Sequence, residues 1–438
     1  MLKLYLISIL LTFSVISQTI LSSEDAIKIG LKNNFDIQIA KNNQEIAENN
    51  SGFGTAGFLP TLNATGSYQE KNTEQESDSP FSFGDTDNRT QNGQISLNWT
   101  LFDGFRMFVD NSRYRELEKL GEFQSRNSIE NSVIGILRAF YNVVQQKQLL
   151  GVFKNSLEIS RLRMEKEQVK KDLGSSSSTD FLNARVSFNN DRSSFLNQEI
   201  KLLVAKKNLN LVLGREPYIE FDVEDQILVN MVSSELEEIT RLVQENNKSL
   251  LISKQNKLIA EKNLSLSKSV YYPKLAFNAN YGYTDSYTDR LGPFDSSVTR
   301  TDIESKNYDK SVGLTLSFNV FNGFRDKINY QNAKLEAKNQ ELSLNKSLNE
   351  ISGLAHEKYT SLNKQIEIIQ LEEENVVAAQ QNLRLLQDLF QVGAASSLEF
   401  RDAQVNLARS QANLISAKFQ AKILRIELDQ LAGLLSFE

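Results

Sequence analysis

The side chains able to do acid–base or ligand chemistry are unevenly supplied in this chain. His356 is the only histidine and cysteine is absent, which removes thiol nucleophiles, disulfides, zinc fingers and histidine-based triads. His356 stands in "EISGLAHEKYTSL" with no second ligand type beside it, and reads as a surface or interhelical residue. Carboxylates remain. The most pointed of them sit in two serine-rich turns, "LGSSSSTDFLNA" at 173–184 and "VGAASSLEFRDA" at 392–403. Ser177 precedes Asp180, and Ser396 precedes Glu399, by the three residues of a helix-capping box. Capping accounts for Asp180 and Glu399 but not for Asp402. With no nucleophile, base or metal cluster alongside, an enzyme is the remotest reading, and no metal or cofactor is expected. The acids of 70–89 and 284–309 read as solvated loops rather than a cation or lipopolysaccharide site.

The elements that carry these turns occur twice. Gly174 and Gly393, Gly104 and Gly323, and Gly214 and Gly433 are each 219 residues apart, whereas Asn33–Asn34 against Asn246–Asn247, and Pro60 against Pro273, are 213 apart. The six extra residues must lie in "SYTDRLGPFDSSVTRTDIESKN", a polar, turn-rich stretch of the second copy. Between Gly104 and Gly174 there is no proline, and apolar positions such as Ile129, Val133, Ile136, Phe140, Val143, Leu150, Phe153 and Leu157 keep helical spacing. Such a helix is roughly 100 Å long. Glycine then stops it, and the serine turn starts a returning helix. Gly104 and Gly323, in "LFDGFR" and "VFNGFR", mark a change from strand to helix.

Upstream of each long helix lie two stretches that alternate with period two. Ile95, Leu97, Trp99 and Leu101 alternate with Gln94, Ser96, Asn98 and Thr100; Leu314, Leu316, Phe318 and Val320 alternate with Gly313, Thr315, Ser317 and Asn319. A similar strand follows "FLP" and another follows "YYP". Strands are therefore expected at about 62–70, 93–102, 275–284 and 311–321. One apolar and one polar face, at about nine residues per strand, suits a transmembrane barrel. The polar residues would line a lumen, and Tyr68, Trp99, Phe102, Tyr281, Tyr283 and Phe321 could supply interfacial aromatics. A soluble sandwich is the competing reading. Four strands cannot close a barrel without leaving open edges in lipid, so the chain must oligomerise to insert.

Composition points to a mainly helical protein, to which the alternating strands add a transmembrane β-barrel. The chain has 438 residues, 40% of them hydrophobic, with five prolines, enough to exclude wholesale disorder. A net charge of -6 with interspersed signs offers no basic footprint, so no nucleic-acid partner is expected. Lys3 before the apolar run Leu4–Ile16 reads as a secretory signal peptide cleaved between Ser17 and Ser22. The expected organisation is a signal peptide at 1–21, a first repeat at 22–217 with its tip at 173–180, a linker at 218–233, and a second repeat at 234–438 with its tip at 392–399.

The duplicated order, the "EDAIKIGLKNN" opening, "FLPTL" and "YYPKL", the paired elbows and the two serine turns together resemble the TolC family of outer-membrane efflux ducts. That resemblance implies a homotrimer whose twelve strands form one barrel in outer-membrane lipid, continuous with a periplasmic α-helical barrel. It implies a passive exit duct for efflux or type I secretion, without cofactors, whose partners are a periplasmic adaptor and an inner-membrane pump of RND, ABC or MFS type. Aligned on the tip glycine, the family's aperture acids fall on Glu399 and Asp402, with Asp180 and Asn183 at the matching places of the first tip. Six carboxylates around one axis would favour cations and raise some of their pKa values by mutual repulsion. The family's arginine after the second-tip glycine is replaced here by Ala395. Leu173, Gly174, Phe181, Val392, Gly393 and Phe400 are the expected adaptor contacts, and an ordinary helix-turn-helix packing corner explains them equally well. The alternative function is a periplasmic adaptor or coiled-coil protein that never enters lipid.

Overall fold

The computed structural model describes residues 20–76, 85–175, 177–229, 235–291 and 300–435. Most of the expected signal peptide, residues 77–84 and 292–299 of the expected polar loops, Ser176 and the end of the expected linker fall outside them. In chain order the elements are β1 (Ile20–Leu21), α1 (Ser23–Asn33), α2 (Phe35–Asn49), β2 (Thr61–Thr73), β3 (Thr86–Asp103), α3 (Arg106–Asp172), α4 (Ser178–Val212), β4 (Asp222–Val223), α5 (Leu236–Asn246), α6 (Lys248–Leu266), β5 (Lys274–Leu291), β6 (Arg300–Ser317), α7 (Arg325–Gln391) and α8 (Ser397–Leu431). They group into two compact units. One comprises 44–122 and 252–345, and the other comprises the remainder.

The first unit holds a four-stranded antiparallel sheet in the order β2-β3-β5-β6. Its strands run further than their apolar alternation suggested, because the polar continuations also pair. Glu70 lies opposite Arg89, and their side chains form an ion pair at 3.0 Å. Much of 286–307, expected to be loop, belongs to β5 and β6. At the other end β6 stops at Ser317, short of the expected 321, so Phe318, Asn319 and Val320 lie beyond the strand. Lys274 is the last β5 residue opposite β6, and Pro273 before it has no N–H to offer. In β3 the matching stretch is held by β5, with a bulge between Thr100 and Phe102.

Each elbow turns strand into helix with two consecutive residues at positive φ: Gly104 at 73° and Phe105 at 66°, Gly323 at 70° and Phe324 at 63°. For phenylalanine this conformation costs roughly 1–2 kcal/mol. Edge-to-face packing against the ring three residues earlier offsets part of it, with centroids 5.0 Å apart for Phe102–Phe105 and 5.3 Å for Phe321–Phe324. Asp103 accepts the Met107 N–H at 3.0 Å, and Asn322 accepts that of Asp326 at 3.5 Å. The acid or amide of "FDGFR" and "FNGFR" thus satisfies a free donor in the first turn of each long helix.

In the second unit the cores of the two repeats are built from the same positions. Leu21, Ala26, Ile136, Phe140, Val143, Leu209, Leu213, Phe221 and Val223 pack together; Ile239, Val243, Ala355, Leu362, Leu428 and Ala432 form the counterpart. Each fully buried large aliphatic or aromatic side chain contributes about 1.5–3 kcal/mol. One pair exchanges volume between the copies: Gly30 faces Ile136, where a Cβ on the glycine would lie 2.1 Å from the isoleucine Cδ1. The second copy has Val243 and Ala355 instead. The recurring Asn-Asn pair also acquires a reason. Asn34 donates to Val212 O at 2.7 Å and accepts from Ile37 N–H, while Asn247 donates to Leu431 O at 3.2 Å and accepts from Leu250 N–H. Ile20 and Leu21, assigned from sequence to the signal peptide, form β1, which pairs in parallel with β4 of the expected linker.

Candidate functional site

Two surfaces carry the sequence-derived candidates. On the sheet, Gln94, Ser96, Asn98 and Thr100 share one face, where Gln94 is opposite Thr65 and Gly282, and Ser96 is opposite Asn63 and Asn280. Thr315 and Ser317 join that face through Ala276 and Lys274. A shallow depression there is lined by Thr65, Ser67, Asn92, Gln94, Asn280 and Ser311. Asn319 is not part of it as a strand residue, since β6 has ended. The other face presents Leu62, Tyr68, Ile95, Trp99, Val312, Leu314 and Leu316, all exposed. So wide an uncovered apolar face on a single chain marks a surface meant for lipid or protein. Among the described residues both sheet edges, the outer sides of β2 and β6, are unpaired.

At the tips, the long helices end in glycine-centred turns. Ser175 N–H reaches Lys170 O and Gly174 N–H reaches Lys171 O; Ala394 and Gly393 repeat this with Leu389 and Phe390. The φ values of 73° at Gly174 and 79° at Gly393 are the left-handed conformation that this stop requires. Leu173 and Val392 project outward, 77% and 78% exposed. The following helices open on capping interactions. Ser177 Oγ accepts Asp180 N–H, and Ser396 with Glu399 forms a complete capping box. Ser396 N–H and its hydroxyl both donate to Glu399 at 2.8 Å, and these bonds, the backbone one foremost, hold the carboxyl below the usual glutamate range. Glu399, Asp402 and Asn183 are exposed, and Asp180 is half-buried.

One expected tip contact has to be withdrawn. Phe400 is 5% exposed, stacked on Phe390 with centroids 5.2 Å apart inside a small core with Leu383 and Ala403. Its place in the first turn of α8 puts it against the end of α7 rather than toward solvent, and Lys166 and Lys170 lie over the Phe390 ring. In the first tip the matching pair is Lys171 over Phe181, 4.9 Å from its centroid, so Phe181 is half-buried. His356 is an exposed residue of α7.

The family described as outer membrane efflux protein matches residues 26–215 and 240–434, one block for each repeat. The chain belongs to the outer membrane efflux protein family. It is 21% identical over 306 residues to outer membrane protein TolC of Vibrio cholerae serotype O1, a match covering 69% of this chain and 68% of that protein. Its fold is that of the Vibrio cholerae outer membrane protein VceC, with TM-score 0.74, 16% identity and coverage of 95% of this chain and 97% of that one. It is also similar to the open state of the Neisseria gonorrhoeae MtrE outer membrane channel, with TM-score 0.70, 14% identity and coverage of 94% and 88%. Membership assigns this efflux protein to the outer membrane as a transport channel, and a soluble adaptor finds no support among these relatives.

A cluster that sequence reading missed lies behind the tips of this efflux protein. Arg401, next to Phe400, makes a two-pronged ion pair with Asp191 of α4 at 2.5 and 2.9 Å. Gln404 donates to Ser156 O at 2.7 Å and to Asp191 at 3.2 Å. Arg163 of α3, buried beside them, donates to Ser397 O; burial first, then the like charge of Arg401, lowers its pKa, with Asp191 acting against them. The α7–α8 hairpin is thereby fastened to the α3–α4 hairpin through charged groups out of water. No sequence signal marks it, because its members are scattered over some 250 positions and each has an ordinary neighbourhood.

Proposed function

We propose that this efflux protein is the exit duct of a tripartite efflux pump or type I secretion machine, in which three copies close a twelve-stranded barrel continuous with a periplasmic α-helical barrel. The observation that carries this reading is the four-stranded sheet with an uncovered apolar face, a polar face and two unpaired edges. Such a sheet is stable in lipid only when neighbours complete it. The polar face, with Gln94, Ser96, Asn98, Thr100, Thr315 and Ser317, then lines a water-filled lumen that discriminates little between cargoes. The duct is passive, energy comes from an inner-membrane pump of RND, ABC or MFS type, and a periplasmic adaptor meets the tips through Leu173, Gly174, Phe181, Val392 and Gly393.

Glu399 and Asp402, with Asp180 and Asn183 of the first tip, line the periplasmic aperture. Capping and lining are compatible for Glu399, whose capped carboxyl stays ionised and so offers charge to passing cations. With Ala395 where the family has its arginine, the closed aperture is held by the Arg401–Asp191 pair instead. Signal cleavage falls ahead of Ile20, keeping the buried Leu21 and its pairing with Val223 in the mature chain.

The test is single-channel conductance and ion selectivity of the detergent-purified protein in planar bilayers, native against Glu399→Ala/Asp402→Ala. A small cation-selective conductance that grows and loses selectivity in the variant is expected. Identical channels from both proteins would return the acids to capping alone, and a folded oligomer without channels would sink the duct.

A further inference from the structure

We infer that the free edge of β6 pairs with the free edge of β2 from a second copy of this chain in one defined register, with Thr315 opposite Ser67, Asn319 opposite Asn63, and Val320 bulged out. This inference rests on the duct reading and specifies its joint. Within the chain, β3 of the first repeat pairs with β5 of the second. Adding 219 to each β3 residue and subtracting 213 from each β5 residue gives the equivalent joint, β6 against the neighbour's β2. Thr100 opposite Ala276 becomes Asn319 opposite Asn63, Ser96 opposite Asn280 becomes Thr315 opposite Ser67, and the bulge at Leu101 becomes Val320. From Gly313 opposite Gln69 to Asn322 opposite Thr61 the transformation sets no apolar side chain opposite a polar one, although nothing in the arithmetic requires it; beyond that stretch Val312 falls opposite Glu70. It also sets Asp309 diagonal to Lys71 of the neighbour on the polar face, a pair of opposite charge.

Three features outside the strands point to the same joint. Gly104 is closely covered: a Cβ there would lie 2.2 Å from Ser269 O and 3.0 Å from Tyr272 Cβ. Its counterpart Gly323 faces open space. The transformed neighbours are Ala56 and Leu59 of the second copy; Leu59 and Phe324 are 60% and 64% exposed, against 48% and 51% for their counterparts Tyr272 and Phe105, whose rings meet edge to face. Next, Ile252 and Ile259 of α6 are half-buried, whereas Ile39 and Ile46 at the same places of α2 are each 56% exposed. Finally, Ile328 and Leu335 of α7 are exposed where Val109 and Glu116 of α3 are half-buried. Apart from Leu59 and Phe324, whose counterparts Tyr272 and Phe105 pack on each other but stay half exposed, each uncovered residue is the copy of one that the chain covers at least in part itself. The missing strand neighbour also explains why β6 ends at Ser317: its continuation to Asn322 is held only in the oligomer.

The native chain has no cysteine, so paired cysteines read the register directly. Residues directly opposite have Cβ atoms about 4.5–5.5 Å apart and those shifted by two about 7–8 Å, against the 3.5–4.5 Å a disulfide needs. Full-length Thr315→Cys/Ser67→Cys and Asn319→Cys/Asn63→Cys proteins are extracted from outer membranes under mild oxidation and run without reductant, beside Thr315→Cys/Thr65→Cys and Thr315→Cys/Gln69→Cys. Covalent oligomers are expected from the first two, with roughly a tenth of that yield or less from the shifted pairs. Predominant linkage in a shifted pair overturns the register but leaves the duct. An intact oligomer without linkage in any pair overturns the joining of these edges. If the unsubstituted chain is a monomer in detergent and in membranes, the duct reading fails with it. The second pair decides where the first does not assemble, since Asn319 lies outside the strand.

Discussion

Removing one partner of the Arg401–Asp191 pair is expected to open the duct. Asp191 accepts two bonds from Arg401 and further ones from Gln404 and Ser156, and the two ion-pair side chains are 19% and 11% exposed. In Asp191→Ala the Arg401 and Arg163 guanidiniums are left near each other without that counter-charge. Breaking a buried pair from one side costs about 3–5 kcal/mol. At about 1.4 kcal/mol per decade, the equilibrium between docked and released α7–α8 hairpin shifts by roughly two to three and a half powers of ten. A hairpin docked in all but about one molecule in ten thousand would then be released roughly 1–25% of the time. The assay is single-channel conductance in planar bilayers, where Asp191→Ala raises both mean conductance and its fluctuation. Replacing both partners by apolar residues, Asp191→Leu with Arg401→Met, should restore the closed level, because the cost lies in the stranded charge rather than in the absence of a bond. An Asp191→Ala channel that stays at the native level while its fold is intact would refute the latch. Equal opening in single and double variants would show that loss of packing, not the stranded charge, is responsible.

Other consequences concern the tips and the duplicated core. The Glu399 carboxyl is held below its ordinary value by the Ser396 backbone and hydroxyl. Its contribution to the α8 start is therefore present above the unfolded glutamate value of about 4.3 and is lost as pH falls through the lower folded value. Hydrogen exchange of tip amides, compared with Glu399→Gln at each pH, should converge on the variant only below that range; convergence already at neutral pH would remove the capping role. Gly30→Val alone forces a group against Ile136 and should destabilise by about 1–3 kcal/mol, and Ile136→Ala alone by about 2–5 kcal/mol. The double variant reproduces the Val243–Ala355 arrangement, so thermal unfolding in detergent should show it less destabilised than the sum, and strict additivity would argue against the volume exchange. Phe390→Ala removes the stack on Phe400 and the ring beneath Lys166 and Lys170. About 3–5 kcal/mol of local stability should go, read as proteolysis at the second tip before the first.

What the sequence made legible was whatever recurs at fixed spacing: the strand faces, the glycine stops, the serine caps and the elbows. Their physics is local, since a glycine at positive φ or a serine three residues before an acid acts within one turn. The polar halves of β2, β3, β5 and β6 escaped notice because hydropathy alternation ends where both faces are solvated, although backbone pairing does not. Phe400 was misjudged for a related reason. "SSLEFRDA" signals where a helix starts but not its rotation, and the stack on Phe390 settles that rotation. The Arg401–Asp191–Gln404 cluster was invisible because tertiary packing alone assembles it.

The same reasoning explains why one half of the chain looks finished and the other does not. A unit that joins its neighbour side by side needs two complementary edges, so a duplicated unit in one chain makes one joint internally and leaves one over. The internal joint covers Gly104 and half-buries the α6 face, while their counterparts Gly323 and the α2 face stay bare. If those bare residues were ordinary surface, drift toward polar side chains would cost nothing. Instead Ile39, Ile46 and Phe321 are apolar like Ile252, Ile259 and Phe102, which are half-buried, and Leu59 and Phe324 are apolar like Tyr272 and Phe105, which pack edge to face. Polar replacement at Leu59 and Phe324 should therefore weaken assembly of the copies while leaving each copy's own sheet paired, a separation that heat-stability of the oligomer and cross-linking within β3–β5 would read independently.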